Sequence, residues 1–371
     1  MSPPQEFRPA APAVRVLAAL ARPARAERDA ARRRLVSGEA TRILVLKPHD
    51  QLGDFLVATP ALAALRARFP GARITLVTRA YLAPLARRQP AVDEVLALES
   101  FDHLLRAWGR LRTPPPDAAF VLNSVSRSRT ADLAVTASGA ELIVGRSRVG
   151  AGALTPAAAR HDDPVYDEDV DIAAGSVHQV DRVLDLVRWT GTAAAPGMTL
   201  ALTADERARG SAAFGAFARG ARIGIHPAAA NALKCWPLGS FIELASRLAA
   251  RGHTPIVFDS PKEPGPARAL FDALLSYGVG AHFVPAGTLE EFIPLASGLD
   301  LMVCNDSGVM HIAAALLVPT LSLHSLGRPE EWAPRNDAAI GLHAEPIAGI
   351  TVDDAERAAL RLLERAPSSR G

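Results

Sequence analysis

The sequence predicts an α/β protein of two similar domains. Short apolar runs alternate with helix-length amphipathic segments, the pattern breaks off midway and starts again, and 371 residues exceed what most single cores hold. The first set of runs is RILVL (42–46), RITLV (73–77), EVLAL (94–98), AAFVL (118–122) and ELIVG (141–145). Unbroken by polar alternation, runs of this length suit parallel strands covered on both faces. The linking segments, such as PALAALRARF (60–69), carry apolar residues at helical spacing.

The second set is ARIGIHP (221–227), TPIVFDS (254–260), AHFVPAG (281–287), DLMVCNDSG (300–308), PTLSLHS (319–325) and AAIGLH (338–343), with helix-like segments between them. An acidic stretch HDDPVYDEDVD (161–171), a predicted helix HQVDRVLDLVRWTG (178–191) and the loose TAAAPG (192–197) separate the two sets. The domains are therefore read as a basic tail or helix over 1–40, an N-terminal domain over 41–195, a C-terminal domain over 196–350, and a closing helix and tail over 351–371.

A formal net charge of +2 gives no chain-wide attraction for nucleic acid. Basic character is local: residues 1–40 hold eight Arg against four acidic residues. That segment reads either as a basic amphipathic helix for an anionic membrane surface or as a frayed, loosely docked tail. No apolar run reaches the eighteen or so residues that span a bilayer, and Arg15, Arg22 and Pro23 interrupt any secretory signal, so the expected compartment is the cytoplasm. Cys235 and Cys304 lie too far apart in sequence for a zinc spacing and read as packing residues. Of 41 basic residues only Lys47, Lys234 and Lys262 are lysines, all at or soon after apolar runs. A compact ammonium meets a phosphate differently from a planar guanidinium.

In open parallel sheets ligands bind beyond the carboxyl ends of the strands. Those ends here read HDQLGD, HP, FDS, CNDSG and LHS. The strongest segment is NDSGVMHIAAALLVP (305–319), where a strand turns through small polar residues into an Ala-rich helix whose free amides suit an anion. Asp306 or Ser307 as an ordinary cap, and His311 as a buried structural histidine, are the alternatives. In HPAAANALKCWP (226–237), Lys234 stands where a point charge can reach a phosphate. In the opening loop KPHDQLGD (47–54), Gly53 permits close backbone approach and Asp54 can cap a helix or act as a base. Pro60 predicts a kink or a restart of the following helix with Thr59 as cap. Neither a P-loop nor a complete GxGxxG after a strand is present, the pair Gly150 and Gly152 lacking the third glycine. Asp169 and Asp171 match a metal-holding Asp-x-Asp pattern but read as a solvated acidic loop.

Taken in order, these segments resemble glycosyltransferase family nine, the ADP-heptose:lipopolysaccharide heptosyltransferases. The resemblance runs from about Arg42 to Pro334 and is carried by ILVLKPHDQLGDFLVATPALAALRARFPGARITLV, HQVDR, IGIHP with LKCWP, NDSGVMHIAAALLVPTLSL and EEWAP. It implies a GT-B architecture, two Rossmann-like domains whose parallel sheets face a central cleft. It further implies inversion at the anomeric carbon with no cofactor and no metal, a nucleoside-diphosphate sugar as donor, and a glycolipid or lipid-linked acceptor at the cytoplasmic face of the inner membrane.

By the same resemblance Asp54 is the general base, and Lys234 neutralises the departing diphosphate. Asp306, Ser307, Gly308 and Val309 form the turn beneath the diphosphate, His311 lies on the helix behind it, His226 ends the preceding strand, and Glu263 meets the ribose. Lys47 and Gly53 of the opening loop are acceptor-side candidates, and the Arg-rich first domain adds Arg127 and Arg129, which read equally as holders of a phosphorylated lipid acceptor or as solvated surface arginines. The chain departs from the family where Ala228, Ala229 and Ala230 follow Pro227, and where His324-Ser325-Leu326-Gly327-Arg328-Pro329 replaces Phe-Gly-Pro-Thr-Asp-Pro. A different nucleotide sugar, in capsule or O-antigen assembly, and a catalytically silent nucleotide-sugar-binding scaffold are the alternative functions.

Overall fold

A computed structural model describes residues 23–48, 51–99, 101–147, 165–193, 197–216 and 218–365, without the side chains of Phe101, Asp102, Leu104, Leu105, Trp108 and Arg129. The chain divides into two compact units, Met1–Pro196 and Gly197–Gly371. His49, Asp50, Gly150, Gly152, the start of the acidic stretch at 161–164 and the tail over 1–22 lie outside the described residues.

The first unit is built on a parallel sheet of β1 (Arg42–Lys47), β2 (Arg73–Arg79), β3 (Glu94–Leu98), β4 (Ala118–Val121), β5 (Ile143–Gly145) and β6 (Glu168–Asp169). Their order is β3-β2-β1-β4-β5-β6. Leu44 and Leu46 of β1, with Ala119 and Val121 of β4, pack on Ala131, Ala134 and Val135 of the helix Arg129–Ala137, and the intervening Ile43, Val45, Ala118 and Phe120 are buried as well, which is why these strands read as continuous apolar runs.

The second unit repeats the winding with β7 (Arg222–His226), β8 (Thr254–Phe258), β9 (His282–Val284), β10 (Leu301–Asn305), β11 (Thr320–His324) and β12 (Ala339–His343). Its order, β12-β11-β10-β7-β8-β9, is the first unit's order read from the opposite edge. Ile223, Val303 and Leu321 share a core with Trp236, Phe241 and the closing helix Val352–Arg365, which contributes Ala355, Ala359 and Leu362.

Three expectations need correcting. Asp169 is not a solvated loop residue: it ends β6, is half-buried, and accepts the Ser147 amide at 2.9 Å. The helix after the opening loop does restart, as Leu52–Leu56 and then Thr59–Arg68, but Ala58 is the cap residue; Thr59 is already helical and gives its hydroxyl to the Leu56 carbonyl at 2.8 Å. The helix Arg25–Ser37 is not a loosely docked segment. It buries Ala31 and Leu35 and pairs Arg28 with Asp167, Arg32 with Glu168, and Arg34 with Asp117 and Glu141. Among the described residues no helix is long and apolar enough to cross a membrane.

Candidate functional site

Both sheets reverse winding direction between their two central strands, β1 and β4 in one unit, β7 and β10 in the other. The crevice beyond the carboxyl ends at such a reversal is where open α/β sheets bind ligands. Most of the sequence-predicted residues lie at these two places.

In the second unit, β10 runs out into Asn305, Asp306 and Ser307, and the helix Gly308–Ala315 begins. Ser307 is the cap residue, yet its hydroxyl makes no cap bond and has no hydrogen-bond partner although buried. Ser307, Gly308 and Val309 are half-buried at the positive end of that helix, and His311 is buried within it. Asp306 does not cap either: its Oδ2 accepts Lys234 Nζ at 2.6 Å, with the Lys234 side chain 30% exposed and that of Asp306 8%. Gly327 makes this approach possible, because a Cβ there would stand 2.7 Å from the same carboxylate oxygen.

Asn305 holds the frame around this pair. Its Oδ1 accepts the Trp236 amide at 3.0 Å and its Nδ2 donates to the Pro227 carbonyl at 2.7 Å. Trp236 Nε1 is anchored in turn on the Ile350 carbonyl at 2.9 Å. Ser325 donates to the Leu233 carbonyl at 2.7 Å and so ties the segment after β11 to the turn that carries Lys234. His226 at the end of β7 is wholly buried; burial pushes its pKa down to about 4 against the pull of Glu263, so it is neutral at physiological pH. His324 behaves likewise, held at about 4 by burial, and shares a hydrogen bond of 2.8 Å with the Ser322 hydroxyl. Glu263 is half-buried on the loop after β8, where its carboxylate accepts the Ser260 hydroxyl at 2.6 Å. Arg328 is exposed.

In the first unit, Lys47 is the last residue of β1 and is buried, so it does not present an open cation to an acceptor. Its Nζ donates to the Leu122 carbonyl at 2.9 Å, just beyond β4. Burial lowers its pKa to about 8, and Asp54 opposes that fall. Gly53 and Asp54 lie in the helix Leu52–Leu56, and Asp54 Oδ1 is buried with no hydrogen-bond partner. Arg127 is tied to Asp132 at 2.7 Å and lies over the Tyr166 ring, while the side chain of Arg129 lies outside the described residues. The predicted helix of the HQVDR segment is Gln179–Arg188, capped by His178, whose Nδ1 accepts the Val180 amide.

Asn305, Ser325, Asn123 and Gln179 were not among the predicted site residues. Ser124 donates to Gln179 Oε1 at 3.2 Å, which pins the segment after β4 to the HQVDR corner. The polar end of that strand, LNS, is itself the signal that points to Asn123.

Comparison with known proteins agrees with this layout. The model of glycosyltransferase family 9 (heptosyltransferase) matches residues 147–356. Lipopolysaccharide heptosyltransferase 2 of Salmonella typhimurium is 27% identical over 317 residues, covering 80% of this chain and 86% of that protein. Two solved structures share the fold. The family 9 glycosyl transferase of Veillonella parvula has a TM-score of 0.74 at 18% identity, covering 87% of this chain and 97% of that one. The ADP-heptose lps heptosyltransferase II of E. coli has a TM-score of 0.73 at 22% identity, covering 88% and 99%. Two parallel six-stranded sheets of one winding make the architecture GT-B. With the family match spanning more than half of its 371 residues, the chain belongs to glycosyltransferase family 9 and is a glycosyltransferase.

Proposed function

We propose that the protein transfers a heptosyl group from ADP-heptose to a lipopolysaccharide-type glycolipid, with inversion at the anomeric carbon and without a metal ion. The observation that carries this reading is the Lys234–Asp306 pair beside the uncapped start of the helix Gly308–Ala315. An ammonium and helix amides together suit a diphosphate, both bound and departing. Support for the donor sugar comes from relatives: the E. coli protein of the same fold is an ADP-heptose lps heptosyltransferase, and a second, WaaC, is known with ADP-2-deoxy-2-fluoro heptose. Support for the acceptor comes from the curated lipopolysaccharide heptosyltransferase 2 of Salmonella typhimurium.

In the reaction, the carboxylate of Asp54 takes the proton of the acceptor hydroxyl as that oxygen bonds to the anomeric carbon. The bond from that carbon to the diphosphate breaks, and the growing negative charge falls to Lys234 and the amides of Ser307, Gly308 and Val309. Lys47, buried and within electrostatic reach of Asp54, places a cation near that carboxylate. Glu263 would meet the ribose, and His226, neutral, adds no charge beside the donor. The reaction takes place at the cytoplasmic face of the inner membrane, where such an acceptor is exposed.

The donor assignment is tested by thermal shift with ADP, UDP, GDP and CDP on the wild type and on Lys234→Ala. A ligand at about a hundred times its Kd adds roughly 2.7 kcal/mol of stability. Stabilisation by ADP above the other three, lost in the variant, supports the reading. Preference for another diphosphate favours a different nucleotide sugar, and no response to any of them favours a silent scaffold.

A further inference from the structure

The twin sheets place an asparagine at the same point of each unit, and the two asparagines differ in one respect. In the second unit His226 registers with Cys304, and Asn305 is one residue further on. In the first, Leu46 registers with Val121, so Leu122 stands opposite Lys47 and Asn123 is one residue further on. Asn305 has both ends of its amide bonded across the crevice. Asn123 has neither: it is 2% exposed, and both Nδ2 and Oδ1 are buried with no hydrogen-bond partner. Asp54 Oδ1 shares that condition, and Lys47 links the two residues, bonded to the carbonyl before Asn123 and electrostatically coupled to Asp54.

Buried polar atoms are costly unless paired, and native proteins pair them. A side chain whose counterpart is fully satisfied, tied through Lys47 to a carboxylate whose oxygen also lacks a partner, is set for a ligand. Its backbone is held in place meanwhile: the Asn123 amide bonds to the Val121 carbonyl at 3.0 Å and the next residue, Ser124, is pinned to Gln179.

We propose that Asn123 is an acceptor-binding residue that orients the sugar hydroxyls of the acceptor against Asp54. This rests on the transferase reading above. The chemistry of the amide selects the ligand: Nδ2 needs an acceptor and Oδ1 needs a donor. A hydroxyl, or a pair of neighbouring hydroxyls, supplies both. Phosphate oxygens only accept and would leave Oδ1 unmet, so the site fits the carbohydrate part of a glycolipid and not its phosphates. Asn123 orients the nucleophile, and Asp54 removes its proton.

The test is steady-state transfer from ADP-heptose to O-deacylated lipopolysaccharide from a strain lacking heptosyltransferase 2, with wild type, Asn123→Ala and Asn123→Leu, alongside their melting temperatures. The expected result is a loss of about 10- to 100-fold in kcat/KM for the acceptor, with the donor KM within about twofold and Tm equal to or above that of the wild type, because no protein partner is lost. Acceptor kcat/KM within about twofold of wild type in both variants overturns the assignment while the transferase reading stands. A fall in Tm with equal losses toward donor and acceptor makes Asn123 a structural residue and also overturns it. Should the wild type transfer nothing, the transferase reading fails first and the assignment falls with it.

Discussion

Lys234 Nζ and Asp306 Oδ2 stand 2.6 Å apart, joined across 72 residues of sequence. The pair lies at the carboxyl end of β10, with a helix N-terminus beside it. An unpaired lysine on a loop would swing freely; this one is held in one direction by a carboxylate that is itself nearly buried. The arrangement is close to neutral before a nucleotide arrives. A diphosphate can therefore draw on the ammonium without that charge first standing desolvated and alone.

If Asp306 aims Lys234, the two residues act as a unit. Lys234→Ala is expected to weaken ADP binding and turnover, as is Asp306→Ala, and the double variant should cost less than the two losses added together. The coupling should fall in the range of about 0.5 to 3 kcal/mol. Titration calorimetry with ADP on the four proteins measures it, and simple additivity would mean that the pair does not act together.

If Asp54 is the base, Asp54→Asn should lower kcat by roughly two to four powers of ten while leaving the KM for the donor near its wild-type value. Steady-state kinetics with the donor varied at saturating acceptor give both numbers. Near-normal kcat would remove Asp54 from the chemistry.

Burial sets a pH dependence at Lys47, whose pKa falls to about 8 from 10.5. Between those values the unfolded chain binds more protons than the folded one, so this group's contribution to stability rises with pH from about 8 to 10.5. Below about 8 the cost of burying the charge is present in full. Relative to Lys47→Met, the wild type should therefore gain on the order of 3 kcal/mol across that window. Denaturant unfolding of both proteins at pH 7.5 and at 10.5 reads the difference. A gap that does not change with pH would show that Lys47 is not buried as an ammonium.

Asn305 closes the frame between the Pro227 carbonyl and the Trp236 amide. Asn305→Ala leaves both groups unmet in a buried place and should cost about 1 to 3 kcal/mol. Because Lys234 lies between these two anchor points in sequence, ADP affinity should fall as well. Unfolding curves and ADP titration on the variant test both effects, and an unchanged Tm would contradict the first.

The central strands were readable because a strand covered on both faces is an uninterrupted apolar run, as in RILVL and DLMVC. β6 was not: its two residues, Glu168 and Asp169, are acidic, and its pairing depends on β5, some 20 residues earlier in sequence. The turn of Asp306 and Ser307 was legible from its residue types, whereas Asp306 taking Lys234 in place of a helix cap was not, since nothing local encodes a partner so distant. Asn305 and Ser325 escaped for the same reason, each bridging loops far apart in the chain. The paired arginines of Arg25–Ser37 mark a further limit: composition revealed the charge, and only the fold revealed the acids that take it up.

The most direct test of the account is the mass of the acceptor. Wild-type protein, ADP-heptose and the deacylated lipopolysaccharide acceptor are incubated together, and the acceptor is weighed by mass spectrometry while released ADP is counted. The account predicts an acceptor heavier by one heptose residue for every ADP released. ADP-heptose left intact, or ADP released with no gain in acceptor mass, would contradict it.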